Sequence, residues 1–134
     1  MSARGIVIVG TGGSARETLV LLRDIQRATP GVWEFRGFVA PHEPEPGLIE
    51  RLGARFLGDP TAALGNNPDA TNWCFVVGIG NPLYRRTMDV TMSGLGLEAT
   101  TLVHPTALIG DDVTVGAGTT ICAHSVLTTN VRIG

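Results

Sequence analysis

An aliphatic residue recurs at every sixth position in the last part of the chain, and this period constrains the fold more than any other feature. The series consists of Val103, Ile109, Val115, Ile121, Leu127 and Ile133. A small or β-branched residue follows four places after each of the first five members. A period of six is neither the two of a flat strand nor the 3.6 of a helix. It is typical of a β-helix, in which short strands wind round a shared interior.

The repeat is short for a structure of this kind. One triangular coil needs three six-residue sides, so residues 101–134 hold less than two coils. A solenoid buries its core by stacking, usually over at least about three units. We therefore expect the β-helix to be incomplete or to lean on neighbours, and the chain to be a fragment of a longer protein.

The first hundred residues alternate strand-like and helix-like segments. The runs at 5–10 and 73–80 are almost entirely apolar, which suits central parallel strands that are buried on both faces. Further strands are expected at 32–40, 54–58 and 98–104, and helices at 13–28, 47–53, 59–65 and 81–96. This alternation predicts an α/β fold with a parallel sheet. We predict a small Rossmann-like parallel-sheet domain at 1–100 followed by the start of a parallel β-helix at 101–134.

Composition excludes several classes of protein. Apolar residues make up 43% of the chain and charged residues 16%, which describes a globular chain and not a disordered one. The net charge of -2 argues against a nucleic-acid partner, which usually meets a basic face. No signal peptide is visible, and no apolar stretch approaches the roughly 20 residues of a membrane span. We expect a cytoplasmic protein. Cys74 and Cys122 lack neighbours at metal-ligand spacing, so we expect two buried, reduced thiols and no metal site.

A glycine-rich segment follows the first strand. Gly10, Gly12 and Ala15 have the spacing G-x-G-x-x-A between a strand and a helix, which is the context that a dinucleotide motif requires. Gly10 permits the tight turn, and Gly12 lets the backbone approach a phosphate closely. Free amides at the start of the helix attract an anion. The alternative is a plain strand-to-helix turn with no ligand.

The ligand of this segment need not be NAD. A dinucleotide fold usually has an acidic residue at the end of the second strand, whereas this chain has Ala40 and Pro41 there. NAD is therefore not the expected cofactor, and a nucleoside diphosphate or a sugar nucleotide fits the same cradle. Gly80, Asn81 and Arg85 follow another central strand, and we expect them to face the same crevice. For Arg85 the alternative is a solvated arginine on a helix.

Together the two halves resemble the bacterial nucleotide-sugar acetyltransferases of the sialic acid O-acetyltransferase (NeuD-like) type. The resemblance covers the whole chain in order. It is carried by IVIVGTGGSARETLVLL, GFVA, VVGIGNPLYRR and LVHPTALIGDDVTVGAGTTICAHSVLTTNVRIG.

This resemblance implies a fold, two substrates and an assembly. The β-helix would be left-handed and would form a homotrimer, with acetyl-CoA lying between neighbouring β-helices. The first domain would bind a nucleotide-activated sugar, with Gly12, Gly13 and Ser14 lining its phosphates. A histidine would act as general base while the sugar's amine or hydroxyl attacks the thioester, so the activity would be N- or O-acetylation.

The sequence departs from the family pattern at three places. Ser14 and Ala15 replace a histidine and a glycine in the loop that usually reads G-x-G-G-H-G-R-E, while Arg16 and Glu17 match it. The second strand usually ends in one or two aspartates, which are absent here. The catalytic histidine of the family lies farther along the β-helix than Gly134.

Three histidines are present, and none is assigned as catalytic. His42 is expected to be a solvated loop residue, and His104 belongs to an HPTA segment that is structural in the family. His124 is the candidate base, because it holds an outward position of the repeat. It would need an orienting partner such as Asp111 or Asp112, and it does not align with the family's catalytic histidine. The alternatives to an enzyme are a non-catalytic sugar-nucleotide-binding module and an oligomer-forming assembly element.

Overall fold

The computed structural model describes residues 3–134 and begins with a sheet of five strands. Its elements in chain order are β1 (Arg4–Val9), α1 (Gly13–Ala28), β2 (Trp33–Val39), β3 (Phe56–Gly58), α2 (Pro60–Leu64), β4 (Cys74–Val77), α3 (Pro82–Gly94) and β5 (Glu98–Ala99). The strand order is β3-β2-β1-β4-β5, and all four neighbouring pairs are parallel. The predicted α/β fold with a parallel sheet is confirmed.

The apolar run of β1 is explained by its central place in the sheet. Ile6 and Ile8 belong to a buried cluster on the side of α1, whereas Val7 and Val9 belong to a second cluster on the other side. Each of these four residues is completely buried. Met92 of α3 lies in the second cluster, so helices cover both faces of the sheet.

Two predicted elements differ from the observed ones. The helix expected at 47–53 is a single 3-10 turn, Glu50–Leu52, because Gly47 and Gly53 adopt positive φ on either side of it. The strand expected at 98–104 divides into β5 and a separate strand, β6 (Leu102–Val103). The division arises because the hydrogen-bond partner changes within two residues. The Thr100 amide donates to Phe75 in the sheet, and the Leu102 amide donates to Thr119 in the repeat.

The six-residue repeat folds into a three-sided coil. Its strands are β6, β7 (Leu108–Ile109), β8 (Val113–Val115), β9 (Thr120–Ile121), β10 (Val126–Leu127) and β11 (Val131–Ile133). They form the parallel pairs β6–β9, β7–β10 and β8–β11, and in each pair the partners are 18 residues apart. Three sides of six residues per turn require this register, so the predicted period of six is confirmed.

Residues with left-handed backbone form corners of the coil. Asp112, His124 and Asn130 are the non-glycine residues with positive φ among those described, at 55°, 62° and 56°. Gly118, with φ of 82°, completes the same six-residue series. Glycine adopts this conformation freely, and Asp, Asn and His tolerate it better than most other residues. The corner therefore selects these residue types.

The coil is much less buried than the sheet. Within residues 101–134, all of which the structure describes, Leu102 and Ile121 are the buried hydrophobic residues. Val103 and Ile109, expected in the interior, retain 37% and 43% of their exposure. Leu102 is buried because it joins the cluster beneath α1, so the coil leans on the sheet unit. Cys74 is buried as expected, but Cys122 is exposed, since it follows the inward Ile121 at the edge of a coil.

Candidate ligand-binding site

The loop that leaves β1 lies between the ends of β2 and β4. The Gly10 amide donates to the Val39 carbonyl at 2.8 Å, and the Gly78 amide donates to the Val9 carbonyl at 2.8 Å. Gly10 has φ of +113°, and a Cβ there would lie 2.7 Å from the Gly78 oxygen. No other residue meets both conditions without strain. The sequence prediction of a tight turn at Gly10 is confirmed.

The first turn of α1 faces open space. A Cβ on Gly78 would lie 2.6 Å from the Cα of Ala15, so the helix start packs closely on the end of β4. Gly12, at the N-cap, has no side chain to offer the free amides, and the first turn contains no acidic residue. Nothing lies within 4 Å of a Cβ built on Gly12. Together with the exposed Gly13 and partly buried Ser14, this turn leaves backbone donors available to an anion.

A crevice of about 340 Å³ lies beside this loop, and none of the binding residues predicted from the sequence is among its lining residues. Its lining consists of Pro41, His42, Ile79, Tyr84, Thr87 and Met88. Two of these residues follow the end of β2 and one follows the end of β4, so the crevice walls stand on both sides of the strand that carries the glycines. A Cβ on Gly10 would lie 3.0 Å from Cγ1 of Ile79, which shows how closely the wall approaches the loop.

The crevice is chemically unlike a dinucleotide site. Among residues 3–134, its lining includes no carboxylate, and Ala40 at the end of β2 is buried. The rings of His42 and Tyr84 and the apolar side chains of Ile79 and Met88 dominate its walls. Such a lining suits a flat, largely apolar group beside an anion.

The side chains of Asn81 and Arg85 both form hydrogen bonds with backbone groups of the protein. The Asn81 side chain accepts hydrogen bonds from the amides of Leu83 at 2.9 Å and Tyr84 at 3.3 Å, which confirms that it caps α3. The Arg85 guanidinium donates to the carbonyls of Val77 at 2.9 Å and Gly118 at 3.4 Å. Arg85 is therefore half-buried and joins β4 to the coil. Direct contact of Gly80, Asn81 or Arg85 with a ligand stays a prediction.

A larger cleft of about 630 Å³ lies between α3 and the coil. Arg85, Arg86 and Asp89 line one wall, and Gly118, Thr119 and Ile133 are among the residues of the other. Of the predicted binding residues, Arg85 alone lines this cleft. The smaller crevice adjoins the glycine loop, so we take it as the candidate site.

His104 is fully engaged in a structural bridge. Its Nε2 lies 2.9 Å from Oδ2 of Asp24 in α1, and its Nδ1 accepts the Thr106 amide at 3.0 Å. The hydrogen bond from His104 lowers the pKa of Asp24, and the nearby Arg27 adds to this effect. With both ring nitrogens occupied and 11% of its side chain exposed, His104 holds the coil against α1. The predicted structural role of its segment fits this geometry.

His124 occupies a corner of the coil. Its backbone amide donates to Oγ1 of Thr106 at 2.9 Å, and its side chain is exposed. Of the two expected partners, Asp111 and Asp112, the second is directed elsewhere, since the Asp112 carboxylate binds Arg132 at 2.7 Å and also accepts a hydrogen bond from Asn130. The left-handed backbone accounts for a histidine at this position without any catalytic role. A base function for His124 therefore has no support from its contacts.

Sequence reasoning missed the α3 wall of the crevice. Tyr84, Thr87 and Met88 are spaced i, i+3 and i+4, so they lie on one face of a helix that begins at the loop after β4. The signal available in the sequence was an aromatic residue, Tyr84, three residues after the helix cap Asn81. His42, expected to be a solvated loop residue, is exposed but lines the crevice.

Three further properties of the described residues bear on the chemistry. Across residues 3–134, no three His, Cys, Asp or Glu side chains are grouped so that they could hold a metal ion. Burial raises the pKa of the Cys74 thiol to about 11. In the same range, no helix combines the length and hydrophobicity needed to cross a membrane.

The fold is shared with solved acetyltransferases. No protein-family model and no curated protein sequence match the chain. PerB of Caulobacter crescentus, solved with CoA and GDP-perosamine, matches 97% of this chain with 56% of its own, at a TM-score of 0.75 and 24% identity. The match to the acetyltransferase domain of PglB from Neisseria gonorrhoeae covers 98% of this chain and 60% of that domain. Its TM-score is 0.74 and the sequence identity is 22%.

A second structure of the PglB domain, in complex with acetyl coenzyme A, matches 99% of this chain at 19% identity and a TM-score of 0.74. The chain thus spans less than two thirds of the length of each of these neighbours. Over nearly all of its residues, the chain shares its fold with PerB and with the acetyltransferase domain of PglB.

Proposed function

We propose that the chain is the sugar-nucleotide-binding part of an acetyl-CoA-dependent acetyltransferase that acts on a nucleotide-activated sugar. One observation carries this proposal: the same chain combines an open glycine-rich turn, which lies beside a crevice, with a three-sided coil. PerB, which shares the fold over the matched residues, was solved with CoA and GDP-perosamine.

The finer assignments are part of the same proposal. Residues 1–100 form a Rossmann-like domain, and the strand order β3-β2-β1-β4-β5 supports this assignment. Residues 101–134 form the first coils of a left-handed β-helix of the type found in NeuD-like enzymes. Gly10, Gly12, Gly13 and Ser14 hold the phosphates, while Gly80, Asn81 and Arg85 complete the edge of the site. We place the protein in the cytoplasm.

The reaction is an acyl transfer in which the sugar's amine or hydroxyl attacks the thioester carbonyl of acetyl-CoA. A bond forms from nitrogen or oxygen to the acetyl carbon, the carbon–sulfur bond breaks, and CoA leaves as the thiol. The perosamine N-acetyltransferase among the structural neighbours favours nitrogen as the acceptor. Acetyl-CoA would lie between β-helices of a homotrimer, and NAD has no part in the scheme.

A second candidate is binding without acylation by this chain alone. The histidines favour this candidate. Both ring nitrogens of His104 are hydrogen-bonded within the protein, and His124 is explained by the left-handed backbone of its corner. In this case the protein is a non-catalytic module that binds a nucleotide or sugar nucleotide without acylating it. An assembly element, in which the coil mainly forms an oligomer interface, is the remaining alternative.

Thermal melts with added ligands test the proposal. A ligand that binds only the folded state stabilises it by about 2.7 kcal/mol at 100 times its Kd. We expect GDP- or UDP-linked amino sugars to raise the Tm, and acetyl-CoA to have little effect on this chain. A large shift with NAD would contradict the sugar-nucleotide assignment. No shift with any nucleotide would favour the assembly element.

Gly12 offers a matched pair of variants for this experiment. Its φ of -79° is open to any residue, nothing lies within 4 Å, and Asp and Asn are both good N-caps. Gly12→Asp places a carboxylate where the phosphate would bind, so we expect it to abolish the ligand-induced shift while folding normally. Gly12→Asn, which adds a neutral cap of the same size, should retain part of the shift. Equal ligand responses in Gly12→Asp and the unmodified chain would exclude this turn as the phosphate site.

A further inference from the structure

We propose that Tyr84 is a stacking platform for the nucleobase, and that the crevice therefore accepts different bases with similar affinity. This inference rests on the proposed function, because it names the part of the nucleotide that occupies the crevice. It assigns a binding role to the Tyr84 face of α3, where no binding residue was predicted from the sequence.

Position is the first argument. The crevice adjoins the phosphate turn through Ile79, whose side chain reaches the Gly10 backbone. Its other walls come from Pro41 and His42 after β2 and from the Tyr84 face of α3. A group attached to a phosphate at the start of α1 can therefore enter the crevice directly.

The chemistry of the lining selects the base over the sugar. A pyranose carries several hydroxyl groups, and each loses free energy if it is buried without a hydrogen-bond partner. Two residues of the wall carry hydroxyl groups, Thr87 and Tyr84, and the Thr87 hydroxyl already donates to the Leu83 carbonyl at 3.0 Å. The remaining surfaces are the aliphatic side chains of Ile79 and Met88, the ring of Pro41 and the rings of His42 and Tyr84. Flat aromatic bases suit such walls, because stacking requires no polar partner.

The same lining predicts weak discrimination between bases. Reading a base requires fixed donors and acceptors at its edge, and a stacking surface recognises the face that all bases share. The lining lacks carboxylates among residues 3–134, and the end of β2 offers Ala40 and Pro41 in place of acids. We therefore expect affinity to depend on the presence of a base far more than on its identity.

The test compares wild type and variants for binding of UDP, GDP and inorganic pyrophosphate by calorimetric titration of the full 134-residue chain. Tyr84 is 66% exposed, so its replacement does not open the core. We expect Tyr84→Ala to weaken UDP and GDP binding roughly 10-fold and to leave pyrophosphate binding unchanged. Tyr84→Phe should bind like wild type. Leu83→Ala is the control, since Leu83 is 73% exposed and does not line the crevice.

The outcomes separate the inference from the proposed function. Unchanged UDP and GDP binding in Tyr84→Ala would overturn the stacking role and leave the phosphate site standing. A preference of more than roughly 100-fold for one base, beyond the range that stacking supplies, would overturn the tolerance for different bases. If wild type bound none of the three ligands, the phosphate site and the stacking role would both be overturned.

Discussion

The sheet unit and the coil are built on opposite principles. The sheet unit holds two clusters of buried side chains, drawn from segments far apart in sequence. The coil repeats one short pairing every 18 residues and buries little of its own apolar surface. Stability in the first region comes from packing, whereas shape in the second comes from backbone conformation and register. The two regions are thus held together by different interactions.

The two regions are joined by two polar contacts on opposite faces of the sheet. His104 binds Asp24 of α1, and Arg85 of α3 binds the Gly118 carbonyl of the coil. Leu102 adds an apolar contact beneath α1. The coil buries little surface of its own and depends on these contacts, because the apolar end of a solenoid must be shielded from water.

Truncating an apolar side chain should change the free energy of unfolding much more in the sheet unit than in the coil, and this is the largest difference that we expect. Phe75→Ala empties a fully buried position of β4, and we expect a loss of about 3–5 kcal/mol in the free energy of unfolding. Ile109→Ala is the matched change in the coil. Because Ile109 is 43% exposed, we expect it to cost about 1 kcal/mol or less. Urea unfolding followed by circular dichroism measures both, and equal losses would refute the contrast.

Adding one methyl group to the coil should have the next largest effect. A Cβ on Gly110 would lie 1.6 Å from the Thr128 carbonyl oxygen of the next coil, so Gly110→Ala must push the two coils apart. We expect a cost of about 1–3 kcal/mol. Gly94→Ala in α3 is the control, because it meets nothing within 4 Å and alanine favours helix. If both variants unfolded at the same urea concentration, register would not govern the coil.

Breaking the junction should have the smallest effect, and it should depend on pH. The folded-state pKa of Asp24 is lowered, so its interactions stabilise the fold at pH values above its ordinary pKa of 3.8 and are lost as pH falls through the lower folded-state pKa. We therefore expect Asp24→Asn to lower the urea midpoint at pH 6, with a difference from wild type that shrinks below pH 3.8. Asp69→Asn, at an exposed turn, is the control. A difference that grew on acidification would contradict the assignment.

The sequence predicted the framework better than the site. Apolar runs located β1 and β4, glycine spacing located the turn after β1, and the period of six located the coil, because each pattern is local. The crevice was missed because it combines residues that are distant in sequence. Pro41 and Tyr84 meet only when β2 and α3 are placed around the same strand end. The sequence offers His124 as a candidate base because the chemistry of its side chain is visible there and its backbone conformation is not. The left-handed φ of His124 recurs at Asp112 and Asn130, which explains the residue by the corner that it forms.

The 18-residue register also limits how such a chain can change in length. Insertion of 18 residues would add a whole turn and leave every side facing the neighbour it faced before. Insertion of six residues would keep the interior apolar but rotate all later sides by one position, so a surface built against α1 or α3 would point elsewhere. Insertion of a single residue would be absorbed only at a corner. Length variation in this part of the molecule is therefore quantised, whereas loops of the sheet unit can lengthen one residue at a time.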